Sequence, residues 1–323
     1  MNELFFWHQK KYPLMEEVDF KKLLFQNEFA GHHMFHNKKE VMTSLNAEIK
    51  ALNRSYQDLY TPIGNNYVRI NIAPYLKFGF SLKYLAQIFY HSAKENNGTM
   101  EGYKQSLLDH ELSIDDLENH HHSSTYRLAY DPHYRVVDKK YVTEAMRQIQ
   151  LENFIDHQGS SIIAIEGKCG SGKTTMVDHL AQKITFTRIP MDDFFLRPQQ
   201  KSVKRMGEVG GNIDYERILA LLESIRSTSS DIIIYDKWDC IEECSRKVEL
   251  KRHDRIILEG VYSFHPAFRH LIDQLAYLDI DDVTQDLRLK RRSNYLSYVN
   301  VWAVLENIYF DHEKIKLLSN III

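Results

Sequence analysis

Apolar residues follow two rhythms along the chain, and the rhythm changes near residue 158. Before that point the spacing is helical. Phe20, Leu23 and Leu24, then Val41, Leu45, Ile49 and Leu52, recur three and four positions apart, as one face of a helix requires. Residues 81–92 form another such run, stopped at Asn96-Asn97-Gly98, and residues 113–117 open with a serine cap and an acidic first turn. Residues 142–154 read as a further helix, the cluster at 61–66 as a turn, and 119–125, with its three histidines, as a solvated loop. Beyond residue 158, short apolar runs at 161–166, 186–191, 231–235, 255–259 and 275–280 alternate with helical runs at 174–184, 215–226 and 283–292. Strands apolar on both faces, separated by helices, predict a parallel sheet covered by helices. The expected fold is therefore α/β for residues 158–323, preceded by a mostly helical accessory domain over 1–157 with no internal repeat.

Composition narrows the class of protein. Hydrophobic residues make up 43% and charged residues 26% of 323 residues, as in a globular chain of about two domains. A formal charge of −3 gives no overall attraction to nucleic acid or anionic membrane, and neither is expected as a partner. Three cysteines, Cys169, Cys240 and Cys244, make no disulfide framework. With no secretory signal and no apolar run of membrane length, the expected location is cytoplasmic. Self-association is left open.

The chemistry begins with Gly167-Lys168-Cys169-Gly170-Ser171-Gly172-Lys173-Thr174, which fits G-x-x-x-x-G-K-[ST] in full, between an apolar strand and a helix. Such glycines let backbone N–H groups close around phosphate, and the following helix presents its positive end. Residues 167–175, Thr175 included, are the expected nucleotide-binding set, with Lys173 on the outer phosphates and Thr174 on Mg²⁺. Cys169 reads either as redox-sensitive or, better, as a small loop filler. No Asn-Lys-x-Asp guanine signature follows the loop. Downstream, Met191-Asp192-Asp193-Phe194-Phe195 places two acids at a strand's carboxyl end, where a carboxylate can take a hydroxyl proton.

Loop and acidic pair together resemble the uridine kinase and pantothenate kinase group of P-loop kinases. The resemblance spans about residues 160–310 and implies a P-loop kinase fold that moves the ATP γ-phosphoryl, with Mg²⁺, to a small-molecule hydroxyl. It implies Asp192 as catalytic base and Asp193 near the substrate. Tyr235, in Ile234-Tyr235-Asp236-Lys237-Trp238-Asp239-Cys240, and Arg246 match acceptor-side positions. Glu259, ending Ile257-Leu258-Glu259, matches a carboxylate that holds Mg²⁺. Asp286-Leu287-Arg288-Leu289-Lys290-Arg291-Arg292 resembles the lid helix, with Arg288 and Arg292 four apart on one face as candidates to neutralise phosphoryl charge. Trp302, Glu306, Tyr309 and Phe310 echo the family's closing motif and read first as packing, second as adenine or substrate contacts. The base-recognising histidine those relatives carry near Cys244 is absent. A nucleoside is the leading acceptor, with pantothenate or a sugar acid as alternatives and an ATP-gated regulatory module as a reading from another class.

The first half carries weaker signals. On a helix Glu28, His32 and His36 would share a face and hold a metal, although Gly31 weakens that helix and histidines often pack among aromatics. Arg69 and Asn71 either face a ligand or form a strand's polar edge.

Overall fold

The computed structural model describes residues 3–31, 37–52, 58–64, 66–115, 117, 121–240, 242–293 and 295–323. The chain forms two compact units, Met1–Asn153 and Phe154–Ile323.

The first unit is largely helical but is organised by a sheet. Strands β1 (Tyr60–Gly64), β2 (Tyr67–Asn71) and β3 (Tyr134–Asp138) pair antiparallel in the order β1-β2-β3. Alternation along each strand sorts the side chains onto two faces. Ile63 and Val136 pack with Leu23, Leu24 and Phe25 of helix Glu17–Phe29 and with Tyr103 and Leu107 of helix Met100–Asp109. Tyr60, Val68, Ile70 and Val137 pack with Val41 and Leu45 of helix Lys38–Ile49 and with Leu85 and Phe89 of helix Leu82–Glu95. Leu23 and Leu45 are fully buried, so truncating either to alanine costs about 2–5 kcal/mol.

Three expectations for this unit are corrected. Residues 61–64 are strand, part of β1, and not turn. Residues 112–114 form no helix; the Ser113 hydroxyl instead donates to Glu17 and accepts from Lys21, tying the segment to helix Glu17–Phe29. The 119–125 segment is not simply solvated, because His122 and Ser123 are buried. His32, His36 and His120 lie outside the described residues, and so does the metal reading built on them. Glu28 accepts from the Thr99 backbone N–H at 2.7 Å.

In the second unit the strands are β4 (Ser161–Glu166), β5 (Thr187–Pro190), β6 (Ile232–Asp239), β7 (Cys244–Lys251), β8 (Arg255–Glu259), β9 (Gln274–Tyr277) and β10 (Ile321–Ile322). Five of them form the expected parallel sheet, in the order β10-β9-β4-β8-β5. Every residue of β4 is buried, which suits its central place. The 231–235 run does not join that sheet. It lies in β6, which pairs antiparallel with β7 as a separate ribbon. Ile232 and Ile234 are exposed while Ile233 and Tyr235 are buried, so the row of isoleucines hides a one-faced strand. The terminal isoleucines extend the sheet as β10, parallel to β9. Because β4, β8 and β5 are parallel neighbours, their carboxyl ends bring Glu166, Glu259 and the turn Met191–Phe194 to one edge.

Candidate active site

The loop after β4 has the backbone its glycines require. Gly167 sits at φ +147°, where a Cβ would come within 2.4 Å of the Leu278 carbonyl oxygen. Gly172, at φ +97°, caps the helix Lys173–Leu180 in the left-handed region. Lys173 is buried, and its Nζ donates to the Gly167 and Lys168 carbonyls at 2.6 and 3.0 Å. Burial pulls the pKa of this ammonium down, opposed by Glu306, Glu259 and Glu166. Lys168 points outward to Asp282, at 3.0 Å. Thr174 and Thr175 are exposed, and the Thr174 hydroxyl lies 3.5 Å from Glu259 Oε1. The Ser171 hydroxyl is fully buried without a hydrogen-bond partner among the described residues.

Other elements hold the loop from outside. Glu306, on helix Ala303–Glu313, accepts the Cys169 N–H at 2.7 Å. Gln285 donates to the Cys169 carbonyl at 2.9 Å, and Arg288 to the Gly170 carbonyl at 3.0 Å. The Cys169 thiol is buried and its pKa pushed up to about 12, chiefly by desolvation, with Glu306 adding to the effect. A thiol held protonated in this way is poorly suited to redox sensing and serves as filler.

The acceptor side is built from β5, β6 and the turn Met191–Phe194. Asp193 is buried and committed: Tyr235 donates to its Oδ2 at 2.7 Å, and Lys237 pairs with its Oδ1 at 2.8 Å. Tyr235 also stacks on Phe194 at 5.2 Å. Asp192 is an exposed residue although protein crowds around its carboxylate. That crowding, then Glu259 and Asp193, raise its pKa, while Lys173 and Lys237 oppose the rise. The carboxylate therefore stands within electrostatic reach of the loop lysine. Glu259 is buried and receives Arg188 Nη2 at 2.5 Å; Arg188 also pairs with Asp178 at 2.6 Å.

Two candidates fall elsewhere. Arg246 is exposed on β7, with Asp239 3.9 Å away, and no contact ties it to the loop or to Asp192. Arg292 lies past the end of helix Asp282–Leu289 and covers the Tyr298 ring at 5.0 Å. The helix is shorter than the spacing suggested, so Arg288 and Arg292 do not share a helical face.

Sequence reasoning missed Arg188, Lys237, Gln285 and Glu166, and it read Glu306 as packing. Glu166 is fully buried and accepts backbone N–H groups of Tyr262 and Phe264 at 2.6 and 2.8 Å. Desolvation raises its carboxyl to about 8, against those hydrogen bonds and Lys173. Its signal was visible: an acid ending an apolar strand directly before the loop. Lys237 had one too, inside the quoted Tyr235-to-Cys240 motif. Arg188 and Gln285 had none.

No protein-family model matches the chain, and no curated protein matches it. Solved structures are similar over about half of it. A possible uridine kinase from Bacillus stearothermophilus is 19% identical with TM-score 0.45, covering 56% of this chain and 99% of its own. A shikimate kinase from Acinetobacter baumannii, in complex with shikimate, is 18% identical with TM-score 0.31, covering 50% of this chain and 82% of its own. A deoxyadenosine kinase from M. mycoides with bound dATP is 14% identical with TM-score 0.28, covering 50% and 90%.

A separate cavity of about 350 Å³ opens at the amino ends of β4 and β8, lined in part by Ser161, Arg226, Arg252 and Asp254. Its arginines are spent, Arg226 on Asp273 and the Leu271 carbonyl, Arg252 on the Thr228 and Ile225 carbonyls. Ligands of parallel sheets bind at the opposite, carboxyl ends.

The loop residues suit a phosphate. Gly167 leaves no room for a side chain, Lys173 is positioned by the loop itself, and Ser171 keeps a buried hydroxyl unused among the described residues. Thr174 and Glu259 offer the neighbouring oxygens a hard divalent cation prefers.

Proposed function

We propose that the chain is an ATP-dependent phosphotransferase whose acceptor is a hydroxyl of a small molecule, a nucleoside first. One observation supports this above the others. Asp192 is an exposed acid standing in the field of both Lys173 and Lys237, beside a second acid already satisfied by Tyr235 and Lys237. A pure nucleotide switch needs the loop but has no use for a further acid in the field of its lysine. The raised pKa improves Asp192 as a proton acceptor while leaving it able to ionise.

In this reading the loop N–H groups and Lys173 hold the terminal phosphates, and Thr174 with Glu259 hold Mg²⁺. Bound ATP supplies the phosphoryl group, and Mg²⁺ offsets its charge. Asp192 orients the acceptor hydroxyl and takes its proton. Asp193, fixed by two donors, shapes the acceptor wall with Tyr235. Arg188 holds the Glu259 carboxylate in place. Arg288, already on the loop carbonyl of Gly170, is the arginine placed to meet phosphoryl charge. Arg246 and Arg292 have no part in this arrangement.

The test is to incubate the chain with Mg-ATP and separate pools of nucleosides, vitamins and sugar acids, and to search for a new phosphate ester by mass spectrometry. A nucleoside monophosphate is the expected product. ATP hydrolysis that no acceptor accelerates would defeat the reading.

A further inference from the structure

The first unit buries a second concentration of cations, remote in sequence from the loop. Arg69, on β2, is 2% exposed. Its Nε and Nη2 both donate to one neutral acceptor, Gln26 Oε1, at 3.0 and 2.7 Å. Its guanidinium lies over the Tyr134 ring at 4.6 Å and also meets the Tyr126 hydroxyl. Among the described residues no carboxylate pairs with it. A buried charge with only neutral partners is costly, and such charges are normally paired.

The buried acid of the same network is Asp19, and its capacity is used up. Oδ1 accepts from His122 Nδ1 at 2.7 Å and Ser123 N at 3.1 Å, and Oδ2 from Ser123 Oγ at 2.7 Å and Glu16 N at 3.0 Å. Four donors fill the four lone-pair positions of a carboxylate. His122 Nε2 then meets the Tyr134 hydroxyl at 2.7 Å, which also accepts from Gln26 at 3.0 Å. The network is closed on itself and leaves the guanidinium charge unanswered.

Lys22 adds a second cation. It sits half-buried on helix Glu17–Phe29, within the fields of Arg69 and of the exposed Arg127, and no ion pair or hydrogen bond engages it among the described residues. Two further polar groups nearby are spare. The Thr61 hydroxyl, directly across the ladder from Arg69, and His8 Nδ1, within the field of Arg69, are fully buried without hydrogen-bond partners among the described residues.

We infer that the first unit binds the oxyanion of a small ligand, a phosphate or a carboxylate, between Arg69 and Lys22. The guanidinium provides N–H donors beyond those spent on Gln26 and Tyr126, and half-buried Lys22 provides a point charge in the field of Arg127. This inference stands apart from the phosphotransfer reading, because none of its residues belongs to the loop.

The experiment uses the full chain carrying Lys173→Ala, so that the loop does not compete for phosphate. Inorganic phosphate and malonate are titrated separately at matched ionic strength and followed by calorimetry. Saturable binding of one of them is expected, weakened about tenfold or more by Lys22→Ala, a change at a side chain that makes no hydrogen bond. Arg69→Gln should abolish it, and Lys83→Ala, elsewhere in the unit, should leave it intact. Phosphate alone binding assigns a phosphorylated ligand; malonate alone assigns a carboxylate. Absence of binding by both, or binding that Lys22→Ala leaves unchanged, overturns the inference, whatever the outcome for phosphotransfer.

Discussion

In each unit a strong cation lies buried among polar neighbours, Lys173 in one and Arg69 in the other, and the neighbours differ in kind. Around Lys173 stand three carboxylates, Glu306, Glu259 and Glu166, with Asp192 close by. Around Arg69 stand an amide and tyrosines. The acids near Lys173 are themselves restrained: Glu259 is held by Arg188, Glu306 by a loop N–H, and Glu166 is close to neutral at physiological pH. That site is balanced before a ligand arrives and suits one that brings its own cation, as Mg-ATP does. The Arg69 cluster is unbalanced and suits a bare anion. Local charge balance, rather than the mere presence of basic residues, separates the two kinds of phosphate chemistry a chain can host.

The largest effect expected is on turnover. Asp192→Asn should lower phosphotransfer by about 10²–10⁴-fold, the usual contribution of a positioned base, with nucleotide affinity nearly unchanged. Lys173→Ala should instead remove nucleotide binding itself. Steady-state rates with the acceptor found in the panel, set beside calorimetric titration of ATP, separate the two. If Asp192→Asn weakens ATP binding as much as turnover, the acid belongs to the nucleotide and not to the acceptor. Matching changes at Arg69 should leave both quantities alone if the two sites are independent.

The two sites also differ in how plainly the chain displays them. The loop is contiguous, because a phosphate cradle is made from successive backbone N–H groups, and eight adjacent residues state it. Asp192 and Glu259 were legible as acids ending apolar strands, since a parallel sheet gathers its carboxyl ends. Arg188 and Gln285 were not, because each acts across a sheet or helix contact that only tertiary packing creates. Ile232–Asp239 was misplaced because three adjacent isoleucines look buried on both faces when only one face is. In the first unit, Asp19, Arg69 and His122 sit fifty or more positions apart, brought together by strands of five residues that carry little periodic signal. Of the helices around them, Glu17–Phe29 was readable from Phe20, Leu23 and Leu24, whereas the short Ser124–Tyr130 was not.

Titration should divide the units in opposite directions. His122 is lowered from 6.5 to about 3, mainly by burial. Between those values the unfolded chain takes a proton that the native state refuses. Its contribution is therefore complete above pH 6.5 and is lost as pH falls, by up to about 1.4 kcal/mol per pH unit. Glu166 is raised from 4.5 to about 8, again by burial. Here the native state holds the extra proton, so stability is complete below 4.5 and declines as pH rises toward 8. His265, lowered to about 4, acts on the acid side, which makes pH 6.5–8 the clean window for Glu166. Segment-resolved hydrogen exchange should show the first unit weakening as pH falls below 6.5 and the second weakening as pH rises from 6.5 toward 8. His122→Asn should flatten the first slope and Glu166→Gln the second. A common direction for both units would contradict the burial of one of these groups.

The smallest effect is the most specific to the contrast in charge balance. Lys22 is lowered to about 8 by burial, then by Arg69 and Arg127, with Asp19 opposing. From pH 8 to 10.5 the unfolded chain retains a proton that the native state sheds, so stability should rise across that interval through this residue. At neutral pH the charge is carried at a cost, and Lys22→Met should raise the melting temperature of the ligand-free chain. For a unit of this size each 1 kcal/mol regained amounts to about 2–4 °C. A lysine that stabilised its surroundings through an ordinary surface pair would move the midpoint down. Adding the anion that binds should reverse the order, since only the chain that keeps Lys22 gains the full binding free energy. Differential scanning fluorimetry on both proteins in the Lys173→Ala background, with and without the anion that binds, reads all four midpoints, and a variant that stays the more stable in every condition would leave Lys22 with no ligand to answer to.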